Sequence, residues 1–263
     1  MGSSIEDVAF LARSAHRVGV LAELAEGSCD RETLREATGA SDPTVGRILG
    51  DFESRGWSVR VGREYELTRT GAYVAEHFAE LLAKMDVERK LRDVWTWLPG
   101  ELEGFTVGTL ADAVVTTVGP GDPYGPATRC GSLFREAKWV RGFDAGLTAP
   151  HHFEALYQLI VDGMDAEMIL PADVSARIRE TYPEKAAAVR ESDHFTLWCT
   201  DALPLYRLTI FDHRVGVGGY DPDSGVLQVY ADTDSEEART WAEATFESFR
   251  RESRLVASAR STA

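Results

Sequence analysis

The sequence predicts a chain of mixed class, α+β in its first third and α/β behind it: helices closed by a small hairpin, a long connecting helix, then a larger domain. Three observations predict this. Residues 1–70 carry three segments with apolar positions at helical spacing, followed by two alternating segments around a glycine. From about 72 to 94 a helical period persists for much longer. Beyond the composition shift at Pro99-Gly100, strand-like and helix-like periods alternate.

The first helix is predicted over Ala15–Glu26, with Ser14 as its cap and Val18, Leu21, Leu24 and Ala25 on one face. Gly27 and Ser28 stop it. Asp30 caps a short second helix, DRETLREATG, that ends at Gly39. Asp42 and Pro43 then form an N-cap and N1 pair for a third helix, PTVGRILGDFESRG, with Val45, Ile48, Leu49 and Phe52 on one face. Two short strands in WSVRVGREYELT surround a turn at Val61-Gly62. The long helix carries Val74, Phe78, Leu81, Leu82, Met85, Leu91 and Val94, which makes it the predicted linker and dimerisation element. Helix, helix-turn-helix, two-stranded wing and long helix is the order of a winged helix-turn-helix. The predicted boundaries are 1–70 for this module, 71–98 for the linker helix, and 99–257 for a mixed α/β effector or assembly domain.

In that last domain, 105–119 is apolar and β-branched, and GPGDPYGP reads as an exposed loop. SLFREAKWV is a helix running into a strand, HHFEALYQLIVDG a helix, DAEMILP a strand, and DVSARIRETYPEKAAAVRES one or two helices. HFTLWCT, LYRLTIF, RVGVGGYD and VLQVYAD read as strands. SEEARTWAEATFESFRRESRLV is a closing helix, and the tail SARSTA is expected to fray.

The chain has 263 residues, 44% of them hydrophobic and 10% aromatic, enough for real cores. No apolar run has the length of a membrane span, and residues 1–20 lack a secretory pattern, so the expected location is cytoplasmic with no membrane partner. Cys29, Cys130 and Cys199 form no CxxC and no zinc spacing, which implies reduced thiols, with redox sensing as the other reading. The net charge of −15 opposes nucleic-acid binding overall. Between Pro43 and Arg69, however, five arginines meet four acids, a local balance of 5 − 4 = +1.

That window holds the predicted DNA contacts. With the apolar face of the third helix packed inward, its other face presents Gly46, Arg47 and Gly50, with Thr44 at the flank. Two mid-helix glycines are unfavourable by roughly 1 kcal/mol each relative to alanine, and one use for them is close approach to a groove wall. Arg47 then reaches a base or phosphate, and Thr44 a phosphate or a thymine methyl. The glycines also fit helix packing, with Arg47 a solvated charge. Arg60 and Arg63 flank the hairpin turn and fit a backbone or minor groove, or else are ordinary surface arginines. Together Thr44, Gly46, Arg47, Gly50, Arg60 and Arg63 form the expected interface with double-stranded DNA.

The run from SAHRVGVLAELAEG through DRETLREATGASDPTVGRILGDFESRGWSVRVGREYELTRTG resembles the winged helix of haloarchaeal transcriptional regulators. The remainder resembles their partner domain, named after the methanogenesis regulatory FilR protein. That likeness is carried by the Pro-bracketed loop before Arg129, WVRGF, DGMDAEMILP, Leu203-Pro204, DHRVGVGGYDPDSG and Trp241-Ala242. It covers nearly the whole chain and implies DNA binding and transcriptional control. The acidic excess, with Lys84, Lys90, Lys138 and Lys185 as the lysines among 28 basic residues, is similar to proteins of salt-loving archaea.

Enzyme signatures are missing. The sequence has no GxSxG, P-loop, strand-linked GxGxxG or HxK, so no catalytic residue, metal ligand or cofactor is assigned. His151 and His152 with Glu154 are read as an exposed helix start rather than a metal site. A small-molecule effector is expected near Arg129, Arg141, Tyr206 and Tyr220, unless those arginines pair with the chain's own acids. Glu167 faces either a pocket or solvent. Three functions follow: a homodimeric promoter-binding regulator, a protein-binding or assembly module using the winged helix for a partner, or an enzyme fused to a DNA-binding module.

Overall fold

The computed structural model describes residues 3–98, 104–145, 150–201 and 203–258, and of 150–155 the backbone alone. The chain divides into two compact units, Met1–Asp86 and Val87–Ala263.

In the first unit, α1 (Ser4–Ala12) and α2 (Ala15–Glu26) precede a two-residue strand, β1 (Cys29–Asp30). Then come α3 (Arg31–Thr38), α4 (Asp42–Ser54), β2 (Ser58–Val61), β3 (Glu64–Leu67) and α5 (Arg69–Leu91), whose end passes into the second unit. Asp30 caps α3 as expected, accepting from the Thr33 N–H at 2.9 Å, and Gly39 ends it with a left-handed φ of 66°. Val45, Ile48, Leu49 and Phe52 of α4 are all buried, joined by Leu21, Leu34 and Trp57.

Several sequence expectations are corrected. Ser14 precedes α2 but its side chain makes no capping bond, and the N-cap of α4 is Ser41 rather than Asp42. The hairpin turn is Gly62-Arg63, because Val61 still pairs with Glu64 as the last residue of β2. Helix α1 was not foreseen. Its one buried side chain is Leu11, and distant partners hold it: Asp7 pairs with Arg55 at 3.2 Å, and the guanidiniums of Arg17 and Arg55 sit 4.0 and 3.8 Å from the Phe10 ring. Strand β1 was also missed, since its order comes from pairing with β3, Cys29 opposite Tyr65.

The second unit is built on a mixed sheet of eight strands among the described residues. In chain order it comprises β4 (Val114–Thr117), α6 (Gly125–Glu136), β5 (Trp139–Asp144), α7 (Pro150–Val161), β6 (Asp165–Pro171), α8 (Ala172–Thr181), α9 (Pro183–Glu191), β7 (Phe195–Thr200), β8 (Tyr206–Phe211), β9 (Val215–Tyr220), β10 (Leu227–Thr233), α10 (Glu236–Arg251) and β11 (Arg254–Ala257). The spatial order is β11-β7-β6-β5-β8-β9-β10-β4. Strands β5, β6 and β7 run parallel, linked through helices; the other pairings are antiparallel. Alternation along the strands makes two cores. Val140, Met168, Phe211 and Tyr230 meet α6, α7, α8 and α9 on one face, and Phe143, Ile169, Leu208 and Val229 meet α10 on the other.

Residues 254–256, expected in the closing helix, instead form β11 on the sheet edge, because the free edge of β7 accepts them as a strand. The loop expected over 119–126 is shortened by α6, which begins at Gly125 with Pro126 in its first turn. Residues 99–100, where composition shifts, lie outside the described residues, as does the tail beyond Ser258. The cysteines are free thiols, two of them buried.

The glycines of β9 allow close approach. A Cβ on Gly219 would stand 1.8 Å from the backbone carbonyl oxygen of Trp97, which has no room to yield. Gly219→Ala is therefore expected to destabilise the second unit by about 2 kcal/mol or more, read as a lower urea midpoint at unchanged slope.

Candidate nucleic-acid interface and polar centre

The turn between α3 and α4 sets the first unit's candidate site. Arg31 donates through Nη2 to both the carbonyl (2.9 Å) and the carboxylate (3.0 Å) of Asp42. This guanidinium covers Gly46, where a Cβ would lie 2.5 Å from Nη2. The close approach that Gly46 permits is thus met within the chain. Gly50 differs: it is exposed and a Cβ there would meet nothing. Thr44 is half-buried, its hydroxyl 2.9 Å from that of Ser41.

The arginines around this surface sort into two groups. Arg31 pairs with Asp42, Arg35 with Glu32, and Arg55 with Asp7. Arg47 is exposed on α4 and makes no hydrogen bond or ion pair among the described residues. At the hairpin tip, Arg60 donates from Nε to the Gly62 carbonyl at 3.0 Å and lies 5.8 Å from the Tyr65 ring centre. Arg63, in the turn itself, is exposed. The Thr33 amide and hydroxyl hold the Asp30 carboxyl below its usual range, with a smaller push from Arg63.

In the second unit the four residues expected near an effector do not converge. Arg141 and Tyr206 belong to the α10 face of the sheet, Arg129 and Tyr220 to the face of α6. The cause is strand alternation, which spacing along the chain cannot reveal across a sheet. Arg129 forks onto Asp232 at 2.8 and 2.7 Å, and the same buried carboxylate also accepts from Arg214. Arg141 pairs with Glu167 at 3.2 Å, and Glu167 accepts from the Trp198 indole at 2.9 Å; Arg141 and Glu167 both line a cavity of about 690 Å³, so Glu167 faces a pocket with its charge already partnered. Tyr206 packs against Phe143, and burial pushes its hydroxyl well up in pKa. Side chains of His151, His152 and Glu154 lie outside the described residues.

Sequence reading missed the polar centre of this unit. Asp144 of β5 and Arg207 of β8 are cross-strand partners, both buried. Arg207 donates to Asp144 from Nε at 2.8 Å and also from Nη2, and its Nη1 lies 3.2 Å from Cys130 Sγ. Tyr220 donates to the other Asp144 oxygen at 2.7 Å. Burial works against the Arg207 cation, and Asp144 more than reverses this, holding it above its ordinary range. Burial pushes the Cys130 thiol and Tyr220 hydroxyl up. The available signal was a charged residue inside two apolar strand runs, WVRGFD and LYRLTIF.

Residues 123–252 match the family described as methanogenesis regulatory protein FilR1, middle domain, and residues 5–90 match the HVO_A0261 N-terminal domain family. No curated protein matches the chain. Among solved structures, TrmBL2, described as an archaeal chromatin protein with a novel mode of DNA binding, is 14% identical over 97% of this chain and 100% of its own, at a TM-score of 0.43. NucT from Helicobacter pylori is 11% identical over 55% of this chain and 98% of its own, also at 0.43. A phospholipase D family member, Nuc from Salmonella typhimurium, is 17% identical over 56% and 98%, again at 0.43. Likenesses this loose decide nothing about function.

The Tyr206 hydroxyl is buried with no hydrogen-bond partner among the described residues. Tyr206→Phe removes an unsatisfied group without changing shape, so it is expected to leave the fold unchanged or stabilise it by up to about 1 kcal/mol. Thermal unfolding checks this; a loss of stability would reveal a partner for the hydroxyl.

Proposed function

We propose that this chain is a DNA-binding transcriptional regulator: the first unit is a winged helix-turn-helix that binds promoter DNA, and the second is an effector or assembly domain. The observation that carries the reading is Arg47. It stands on the solvent face of α4 without an ion pair among the described residues, while Arg31, Arg35 and Arg55 around it are tied to acids. A free guanidinium on the second helix of a helix-turn-helix, with two more arginines on the adjoining hairpin, suits a groove and its flanking phosphates. The match of residues 123–252 to a regulatory-protein domain supports the same reading. In a chain of net charge −15, the positive face is small, and binding in a salt-rich archaeal cytoplasm would depend on it. Gly50 leaves this face flat, whereas Gly46 serves Arg31. We assign the chain no catalytic step.

Anisotropy titrations of the full chain with double-stranded DNA from upstream of its own gene, at several salt concentrations, test the assignment. Arg47→Ala is expected to weaken binding by about ten- to a hundredfold without loss of fold. Gly50→Leu, which fills open space on the same face, is expected to weaken it as well. Equal binding by wild type and Arg47→Ala at every salt concentration would sink this role for α4 and favour a protein partner for the module.

We infer a homodimer formed through α5. Leu81, Leu82 and Met85 are exposed by 44%, 37% and 48% on this helix, and two recognition helices spaced about one DNA turn apart require a paired arrangement. Leu82→Glu combined with Met85→Glu is expected to halve the mass measured by light scattering with the helical circular-dichroism signal intact. A wild type that already has the mass of one chain would refute the dimer.

A further inference from the structure

A cavity of about 270 Å³ opens between α6, α7 and the sheet of the second unit. At about 30 Å³ per water in the liquid, this is room for roughly nine waters, or an organic molecule of about that many heavy atoms. Phe134, Leu156, Leu159 and Met168 give it an apolar wall. The buried Asp144 and Arg207 also line it. Arg135, exposed and without an ion pair among the described residues, lines its open side.

Two features give the cavity a chemical preference. Among the described residues its charged lining is two guanidiniums and one carboxylate, a net +1 within a chain of net −15. Arg207 also has capacity to spare. A guanidinium carries five N–H donors, and three of them are engaged, two by Asp144 and one by Cys130. The remaining donors belong to a side chain at 5% exposure that borders an open space. A buried charged pair that borders a cavity, rather than being sealed in side chains, is costly to maintain for structure alone. Site residues of this type are where ligands are held.

We propose that this cavity binds a small organic anion, an aromatic or short branched carboxylate of roughly nine heavy atoms. Its hydrocarbon lies against Phe134, Leu156, Leu159 and Met168, and Arg135 and the unused donors of Arg207 answer its carboxylate. As the signal of an effector domain this rests on the regulator reading; as a binding site it does not.

Calorimetric titration of benzoate into the full chain, with benzyl alcohol as the neutral match, tests it. Benzoate is expected to saturate with a Kd in the millimolar range or tighter, as about nine heavy atoms allow, and benzyl alcohol to bind about tenfold more weakly. Arg135→Gln is expected to weaken benzoate about tenfold. Gly131 lines the cavity and a Cβ there would meet nothing, so Gly131→Leu fills the space and abolishes binding; Ala127→Leu serves if that variant fails to fold. Absence of saturation by roughly 10 mM benzoate, equal binding of the alcohol, or undiminished binding to a filled, folded variant would each overturn the proposal. Benzoate binding by a chain that ignores DNA would refute the regulator reading and leave the cavity standing; the reverse result would do the opposite.

Discussion

Asp144 and Arg207 lie opposite one another on β5 and β8, at the seam where the sheet changes from parallel to antiparallel pairing. Both are buried, so neither charge is easily tolerated without the other. Stranding one member of such a pair is destabilising by about 3–5 kcal/mol, a large part of the roughly 5–15 kcal/mol that holds a typical domain together. The pair therefore fixes more than itself. It sets the register of β5 on β8, draws in the Tyr220 hydroxyl from β9, and seats α6 through Cys130. A one-residue slip would turn Arg207 into the opposite, apolar core.

A second buried carboxylate works on the same face of the sheet, on β10. Asp232 of β10 accepts from Arg129 of α6 and from Arg214 beside β9. Between them, the two acids hold α6 at neighbouring residues, Asp232 through Arg129 and Asp144 through Arg207 and Cys130. Three arginines of the unit, Arg129, Arg207 and Arg214, are thus structural cations matched to a buried acid. Arg135 departs from that rule on the same helix, and the cavity beside it is where a ligand's charge would restore the balance.

The first unit handles charge in the same way, at its surface. Arg31 crosses from α3 to the start of α4, where it bonds the Asp42 carbonyl and carboxylate and holds the two helices in a fixed turn. Arg55 reaches back to Asp7 and the Phe10 ring, which fastens α1. With these cations committed to the fold, Arg47 faces outward on α4 above an open Gly50, with Glu53 and Ser54 exposed a turn further on.

Elements whose stability is local could be read directly from the chain. The buried stripe Val45, Ile48, Leu49 and Phe52, the Asp30 cap, the Gly39 stop and the run of strands from DAEMILP to VLQVYAD all follow from period, capping and turn chemistry within a few residues. The solvent face of α4 was legible for the same reason, because burying one stripe of a helix exposes the other. Features that depend on distant partners needed the folded chain: α1, β1 and β11, the covering of Gly46 by Arg31, and the placement of Arg129, Arg141, Tyr206 and Tyr220 on two faces of one sheet. It alone joined Asp144 to Arg207 across 63 positions of sequence. Hydrophobic period is a property of neighbours in the chain, whereas a buried charge is satisfied by whichever strand the topology sets beside it.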